Sequence, residues 1–418
     1  MSVVRRLGTF DAIVIGLGSM IGAGVFAAIG PATVAAGSGV LLALALAAVV
    51  AYCNATSSAQ LAAIYPESGG TYVYGREQLG PVWGYLAGFG FVFGKLASCT
   101  AMAMTFAYYA APEYAKPLAV GAVLILTFVN YRGIQKTALV TRVIVSVVLC
   151  VLAIAVFAML SGGAVRSENL SPVMGNGGAY GLLQAAGLLF FAFAGYARIA
   201  TLAGEVVDPA RTIPRAVTVA LSITLVIYAL VAVSALLAAG APALAASKAP
   251  LATAIEAGQW AALAPIVRVG AAIASLGVLL SLIAGVSRTA LAMAQRHDLP
   301  SWLAAIHPRF QVPHRADVVI GLIVASAAAV ADVRTSIGFS SFLVLIYYAI
   351  TNASAWTLSD KERLWPRALS ALGFLGCVTL ALSLPVASVI AGSVIVLVGL
   401  VIHALRAILP RRGPAQPK

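Results

Sequence analysis

The sequence predicts an all-α integral membrane protein, and three observations predict it: its composition, the spacing of its apolar runs, and the one-sided placement of its basic residues. Hydrophobic residues make up 61% of the 418-residue chain and charged residues only 9%. A soluble domain carries about 25% charged residues, so this chain cannot cover a water-facing surface. A bilayer core of about 30 Å takes roughly 20 apolar residues of helix. Apolar runs bounded by charged residues, proline or glycine fall at about 10–36, 39–63, 83–110, 117–131, 137–161, 180–203, 214–240, 265–292, 317–332, 335–358, 366–383 and 385–409. That is about twelve transmembrane helices with short connections and no separate soluble domain.

Most of the 26 lysines and arginines fall in the connections of one side. The other side receives only Lys116, Arg166, Lys248, Arg268 and Arg334. The positive-inside rule then puts both termini in the cytoplasm of a multi-pass protein of the cell membrane. In a soluble protein the net charge of +13 would suggest nucleic acid; here it reflects sidedness, and no nucleic-acid partner is expected. The opening "MSVVRRLGTF" has the arginines of a signal peptide, but no cleavage site follows and the apolar run exceeds twenty residues. It reads as a retained first helix. Cys53, Cys99, Cys150 and Cys377 sit far apart inside apolar runs, with no metal-site or disulfide spacing. They are expected to be packing residues.

The first span contains "GLGSMIGAG", Gly16 to Gly24. A dinucleotide loop needs G-x-G-x-x-G between a strand and a helix, and neither the spacing nor the surroundings fit. Glycine within a helix costs about 1 kcal/mol against alanine, so the cluster marks a place where the helix can unwind. Freed backbone in a membrane is tolerated where it lines a cavity or is buried in protein. It would offer N–H groups to a carboxylate and carbonyls to an ammonium. From this span alone, close helix packing through small residues is an equal reading. The sixth span shifts the balance, because "LLFFAFAGYARIATLAGEVVDPARTIPRA" carries Gly195 in mid-span beside clustered phenylalanines. The two spans run in opposite directions, and interrupted helices at corresponding places in two halves point to a transporter's site.

At these motifs the sequence resembles the amino acid–polyamine–organocation superfamily of permeases, along nearly the whole chain. "GLGSMIGAGVF" is similar to that family's broken first helix, and "AAIYPESGGTYVYGREQLGPVWGYLAGF" to its second helix, inner loop and third helix. "FFAFAGYARIATLAGEVVDPARTIPRA" is similar to its sixth helix and the loop beyond. "SRTALAMAQRHDLPSWLAAIHPRFQVPHRA" is similar to its eighth helix and following loop. The resemblance implies a five-plus-five inverted-repeat core: residues 1–160 form the first repeat, 161–360 the second, and 361–418 the peripheral helices 11 and 12 with a tail. It implies alternating-access transport of an amino acid held between helices 1 and 6, by a monomer or weak homodimer. The substrate carboxylate would meet N–H groups of Gly22, Ala23 and Gly24. The ammonium would meet carbonyls near Met20, Phe191 and Ala194, beside Gly195. Phe191 stands where the family often has an aromatic that closes over the substrate.

The sequence also departs from the family. Some proton-coupled relatives have a lysine in helix 5, where this chain has Ser146, Val147 and Val148. Paired glutamates after helix 6 are replaced by Gly204 and Glu205, and an acid past the break by Ala197 and Arg198.

Charge inside a bilayer is expensive and usually faces a cavity or a partner. Lys95, about ten residues from either end of its span, is too deep to reach an interface by snorkelling. It could load and release a proton in place of the missing lysine. Arg198 stays protonated. An ion pair with Glu205, seven positions on, is its plainer role; facing the cavity and repelling cations is the sharper one. Ser281 and Ser287 could supply hydroxyls to a sodium ion, although serine in a membrane helix more often bonds its own backbone. No cofactor or bound metal is expected; the coupling ion is H+, with Na+ as the alternative. His297, His307 and His314 lie in the loop after the eighth span, which is expected to pack beneath the bundle.

None of the 13 acidic residues lies at the middle of a span. A cationic side chain there would find no carboxylate, which favours a neutral L-amino acid. Cationic amino acids or polyamines come second, because phenylalanine faces can hold a cation. A membrane enzyme would need a constellation such as paired aspartates or His-Glu-x-x-His within spans, and a channel a repeated pore motif. Neither is present, so the chain is expected not to be an enzyme.

Overall fold

In a computed structural model, residues 7–22, 24–66, 69–133, 138–172, 177–196, 198–199 and 206–408 are described. Helices occupy each apolar run. The first run is divided into α1 (Thr9–Met20) and α2 (Gly24–Ala36), and α3 (Val40–Ile64) follows. A short helix, α4 (Thr71–Leu79), leads into α5 (Pro81–Ala110), α6 (Ala115–Tyr131) and α7 (Ala138–Ser161). The sixth run forms α8 (Gly178–Phe193) and then a 3-10 turn over Ala194–Tyr196. Beyond it come α9 (Pro209–Ala246), the short α10 (Pro250–Glu256), α11 (Ala264–Gln295) and α12 (His314–Val330). The chain closes with α13 (Val333–Trp356), α14 (Arg367–Ser383) and α15 (Val386–Ile408). Among the described residues nine helices are long and apolar enough to cross a membrane, and α1 and α14 are shorter apolar helices. An all-α membrane bundle is therefore the observed fold; its one β-type pairing among the described residues is an isolated bridge between Leu7 and Val206.

Local chemistry sets the helix ends. Pro81 begins α5 and Pro209 begins α9, at positions where the missing N–H would have had no helical partner. Asp332 caps α13 by accepting a hydrogen bond from the Thr335 N–H at 2.9 Å. The sequence pattern shows α4 only as a polar connection, because its nine residues carry little periodic hydrophobicity and it is fixed by packing on α5.

Burial sorts the long helices into inner and outer. In the most apolar stretch of α5, 78% of residues are buried, and in α13 72%, against 17% in α15. The inner pair packs together, with α11 and α6 also against α5, and α2 lies along α8. Cys53, Cys99 and Cys377 are buried as expected, but Cys150 is exposed on the outer face of α7 and does not pack inside. The segment with His307 and His314 packs on the end of α6, with their rings 5.5 and 6.1 Å from that of Tyr131.

A buried polar cluster ties α14 to the inner helices. Asn352 Nδ2 of α13 donates to Asn54 Oδ1 of α3 at 2.6 Å, and Ser57 Oγ donates to Asn352 Oδ1 at 2.8 Å. Cys377 Sγ donates to Asn54 Oδ1 at 3.2 Å, and Ser370 Oγ lies 3.1 Å from Ser57 Oγ. Losing one member leaves buried partners unpaired, at about 1–3 kcal/mol. Asn352→Ala should therefore lower the melting temperature of the detergent-purified protein by several degrees. An unchanged melt would show that the cluster adds nothing to stability.

Candidate substrate site

Two helix interruptions meet at the centre. The first runs from Met20 through Ile21 and Gly22 to the start of α2, and the second is the turn at Ala194–Tyr196. A Cβ on Gly195 would fall 2.3 Å from the carbonyl oxygen of Ser19 and 2.6 Å from the amide of Met20. One on Gly24 would fall 2.5 Å from the Cα of Ala192. Glycine is what lets the two broken segments touch backbone to backbone. One on Gly22 would meet Val278 of α11 at 2.0 Å. The interruption and the close packing are thus both present at the first span, where the sequence left them as alternatives. Ala23 lies outside the described residues.

Tyr228 of α9 reaches a carbonyl at each interruption. Its hydroxyl, fully inside the bundle, donates to the carbonyl of Met20 and to that of Ala192, the latter at 3.0 Å. One proton thus bridges both broken segments. No sequence signal identified this residue, because a lone tyrosine in an apolar span reads as ordinary packing.

The interruptions open onto a cavity of about 430 Å³, within the roughly 300–1,000 Å³ of small-molecule sites. Met20, Gly24, Phe191, Ala194 and Gly195 line it at the breaks. Phe91, Lys95, Ser98 and Met102 line it from one face of α5, and Ser281, Gly285, Arg288 and Thr289 from α11. The lining continues to Leu7 and Tyr72, so the cavity extends toward the end of the bundle where α1 begins. At the other end α2, α5 and α10 pack together. Tyr109 Oη donates to the Phe26 carbonyl at 3.1 Å and accepts from the Leu251 N–H at 3.3 Å.

The charged residues singled out in the sequence are brought together here. Lys95 is 8% exposed, and its Nζ lies 5.8 Å from the centre of the Phe91 ring. A charge in the membrane interior costs at least about 2.5–3.5 kcal/mol, and a cation–π contact returns about 0.5–2. Phe91 alone does not offset the burial. Arg198 also lines the cavity, with Nη1 3.8 Å from the place of a Cβ on Gly285. Glu205, its expected partner, lies outside the described residues. Among the described lining residues there are three cations, Lys95, Arg198 and Arg288, and no carboxylate. Ser281 and Ser287 donate to their own helix, to the carbonyls of Gly277 at 3.0 Å and Ile283 at 2.9 Å. Ser281 lines the cavity and Ser287 is buried outside its lining.

Below the cavity, Asp298 joins three elements. Its carboxylate accepts from Tyr72 Oη at 2.6 Å and from Arg76 Nη2 at 2.5 Å, while its carbonyl accepts from Arg406 of α15. Burial, and then the hydrogen bond to Asp298, push the Tyr72 phenol above its usual value, so it stays the donor.

Residues 11–415 match the model of the family described as "Amino acid permease". The chain belongs to the amino acid permease family. The permease is 59% identical to an uncharacterized transporter of Mycobacterium tuberculosis over 98% of its own length and 93% of that relative's. It is 27% identical to a branched-chain amino acid permease of Bacillus subtilis, covering 97% of this chain and 93% of the relative. A cationic amino acid transporter of Arabidopsis thaliana is 24% identical, covering 84% of this chain and 65% of the relative. The fold and the family agree on a multi-pass membrane protein with a small-molecule site.

Tyr228→Phe keeps the ring and removes the hydroxyl, leaving both carbonyls at the breaks without that donor. Folded protein should reach the membrane while uptake into liposomes falls at least tenfold. Uptake at the wild-type rate would remove Tyr228 from the site's architecture.

Proposed function

We propose that this chain is a secondary-active permease for L-amino acids, neutral ones preferred, working by alternating access across the cell membrane. One observation carries the reading: two interrupted helices of opposite direction meet at a cavity whose described lining has cations but no carboxylate. The amide groups after the first break suit a carboxylate, and the carbonyls at both breaks suit an ammonium. A cationic side chain would sit beside Lys95 and Arg198 with no counter-charge, which disfavours it. The branched-chain permease among the relatives supports this, and the cationic transporter keeps cationic amino acids as the second reading.

In this reading α1–α7 and α8–α13 are the two inverted repeats, with α14 and α15 peripheral. Both termini face the cytoplasm, so the cavity is open inward. The protein works as a monomer or weak homodimer. Lys95 carries the coupling proton, and sodium is the alternative ion.

Two measurements on purified protein in liposomes test these points. Uptake should be saturable and stereoselective, and alanine, serine, leucine or phenylalanine should displace labelled substrate better than arginine, lysine or putrescine. The reverse order would overturn the neutral preference, and non-saturating flux would favour a channel. Lys95→Ala should flatten the pH dependence of uptake while exchange of labelled substrate survives. An unchanged pH profile would free Lys95 from proton coupling.

A further inference from the structure

We propose that Lys95 is a side-chain subsite for a carboxylate, so that acidic L-amino acids, aspartate or glutamate, are substrates of this cavity alongside neutral ones. The inference rests on the permease reading and adds a substrate class to it. Lys95 is more than nine-tenths buried and lines the cavity, yet among the described residues no carboxylate lies within ion-pair distance of its ammonium. The Phe91 ring is a weak counterweight, on one side only. A deep charge of this kind is usually matched by a partner, and here the open volume beside it can admit one.

Placement supports the same assignment. Phe91, Lys95, Ser98 and Met102 follow one another at helical spacing on a single face of α5, so this wall presents one charged group among apolar or neutral ones. That is the pattern of a selective contact. Ser98 Oγ lies 2.7 Å from Ser340 Oγ and 3.2 Å from the Gly94 carbonyl, so it is engaged within the bundle. Lys95 is left as the strong donor of this wall. The breaks line the same cavity, and in the permease reading they take the α-carboxylate and α-ammonium. A zwitterion bound there can direct its side chain toward α5. A side-chain carboxylate would then supply the missing counter-charge, whereas the matching amide would supply only an acceptor dipole.

The experiment uses full-length protein in liposomes, loaded and assayed with a labelled neutral amino acid. Competitors are L-aspartate, L-glutamate and the matching amides L-asparagine and L-glutamine, on wild type, Lys95→Met and Lys95→Arg. In wild type, at least one acid should displace the label at a concentration within tenfold of its amide. In Lys95→Met the acid-to-amide ratio of half-inhibitory concentrations should rise at least tenfold, and Lys95→Arg should keep most of the wild-type ratio. If amides compete in wild type and neither acid does, the subsite is wrong and the permease reading stands. If Lys95→Met weakens acid and amide equally, Lys95 shapes the whole site and does not read the side chain. If no amino acid displaces the label or shifts the melting temperature of wild type, the permease reading itself fails. Should Lys95→Met not fold, the wild-type comparison and Lys95→Arg still decide, because loss of acid competition in a folded, charge-retaining variant also overturns the assignment.

Discussion

Every backbone N–H and C=O in a bilayer needs a partner inside the protein, and the rest of this structure depends on meeting that demand at two broken helices. A break releases several groups at once, at the depth where water cannot reach from lipid. Three devices meet the demand here. The breaks touch each other through Gly195 and Gly24, Tyr228 donates to a carbonyl from each side, and what is left faces a cavity. Each device requires the others. Without the close approach, one tyrosine could not reach both segments, and without the cavity the remaining groups would have no solvent or ligand.

The interior arrangement of helices follows from the same demand. α5 and α13 are largely buried, although less apolar than most of the other spans, which makes them an inner wall rather than a lipid-facing surface. That wall holds Lys95 at a fixed depth. The polar cluster around Asn54 and Asn352 ties this wall to α14 through hydrogen bonds made within the protein.

Hydropathy and charge made the frame legible. The run at 10–36 contained both a spanning length and the glycine cluster, and the helix is interrupted inside that cluster. The run at 180–203 carried Gly195, and α8 ends two residues before it. The short fourth and ninth runs become α6 and α12, each extended at its start by two or three residues that were polar or flanked proline. Side-chain roles were harder to read. Lys95 stood out because a charge deep in a span has few explanations, and it does line the cavity. Tyr228 did not, since its role depends on where α9 crosses the breaks, and that is set by packing. The Asp298 junction was equally hidden: its partners Tyr72 and Arg76 come from α4 and Arg406 from α15, far apart in the chain, and a loop aspartate looks like a solvated one. Gly22 and Gly24 were read as exposing amides; the structure adds that their missing side chains admit Val278 and Ala192.

The pairing of Leu7 with Val206 has a mechanical consequence. The Val207 N–H donates to the Leu7 carbonyl at 2.9 Å, which fastens the segment that leads into α1 to the segment that leads into α9, where Leu7 lines the cavity. The segment that leads into α1 is therefore tied to the segment that leads into α9. Neither can swing alone without breaking this tie. The same tie and the contact of Gly195 with Ser19 hold the two interrupted segments together at two separate points along the cavity.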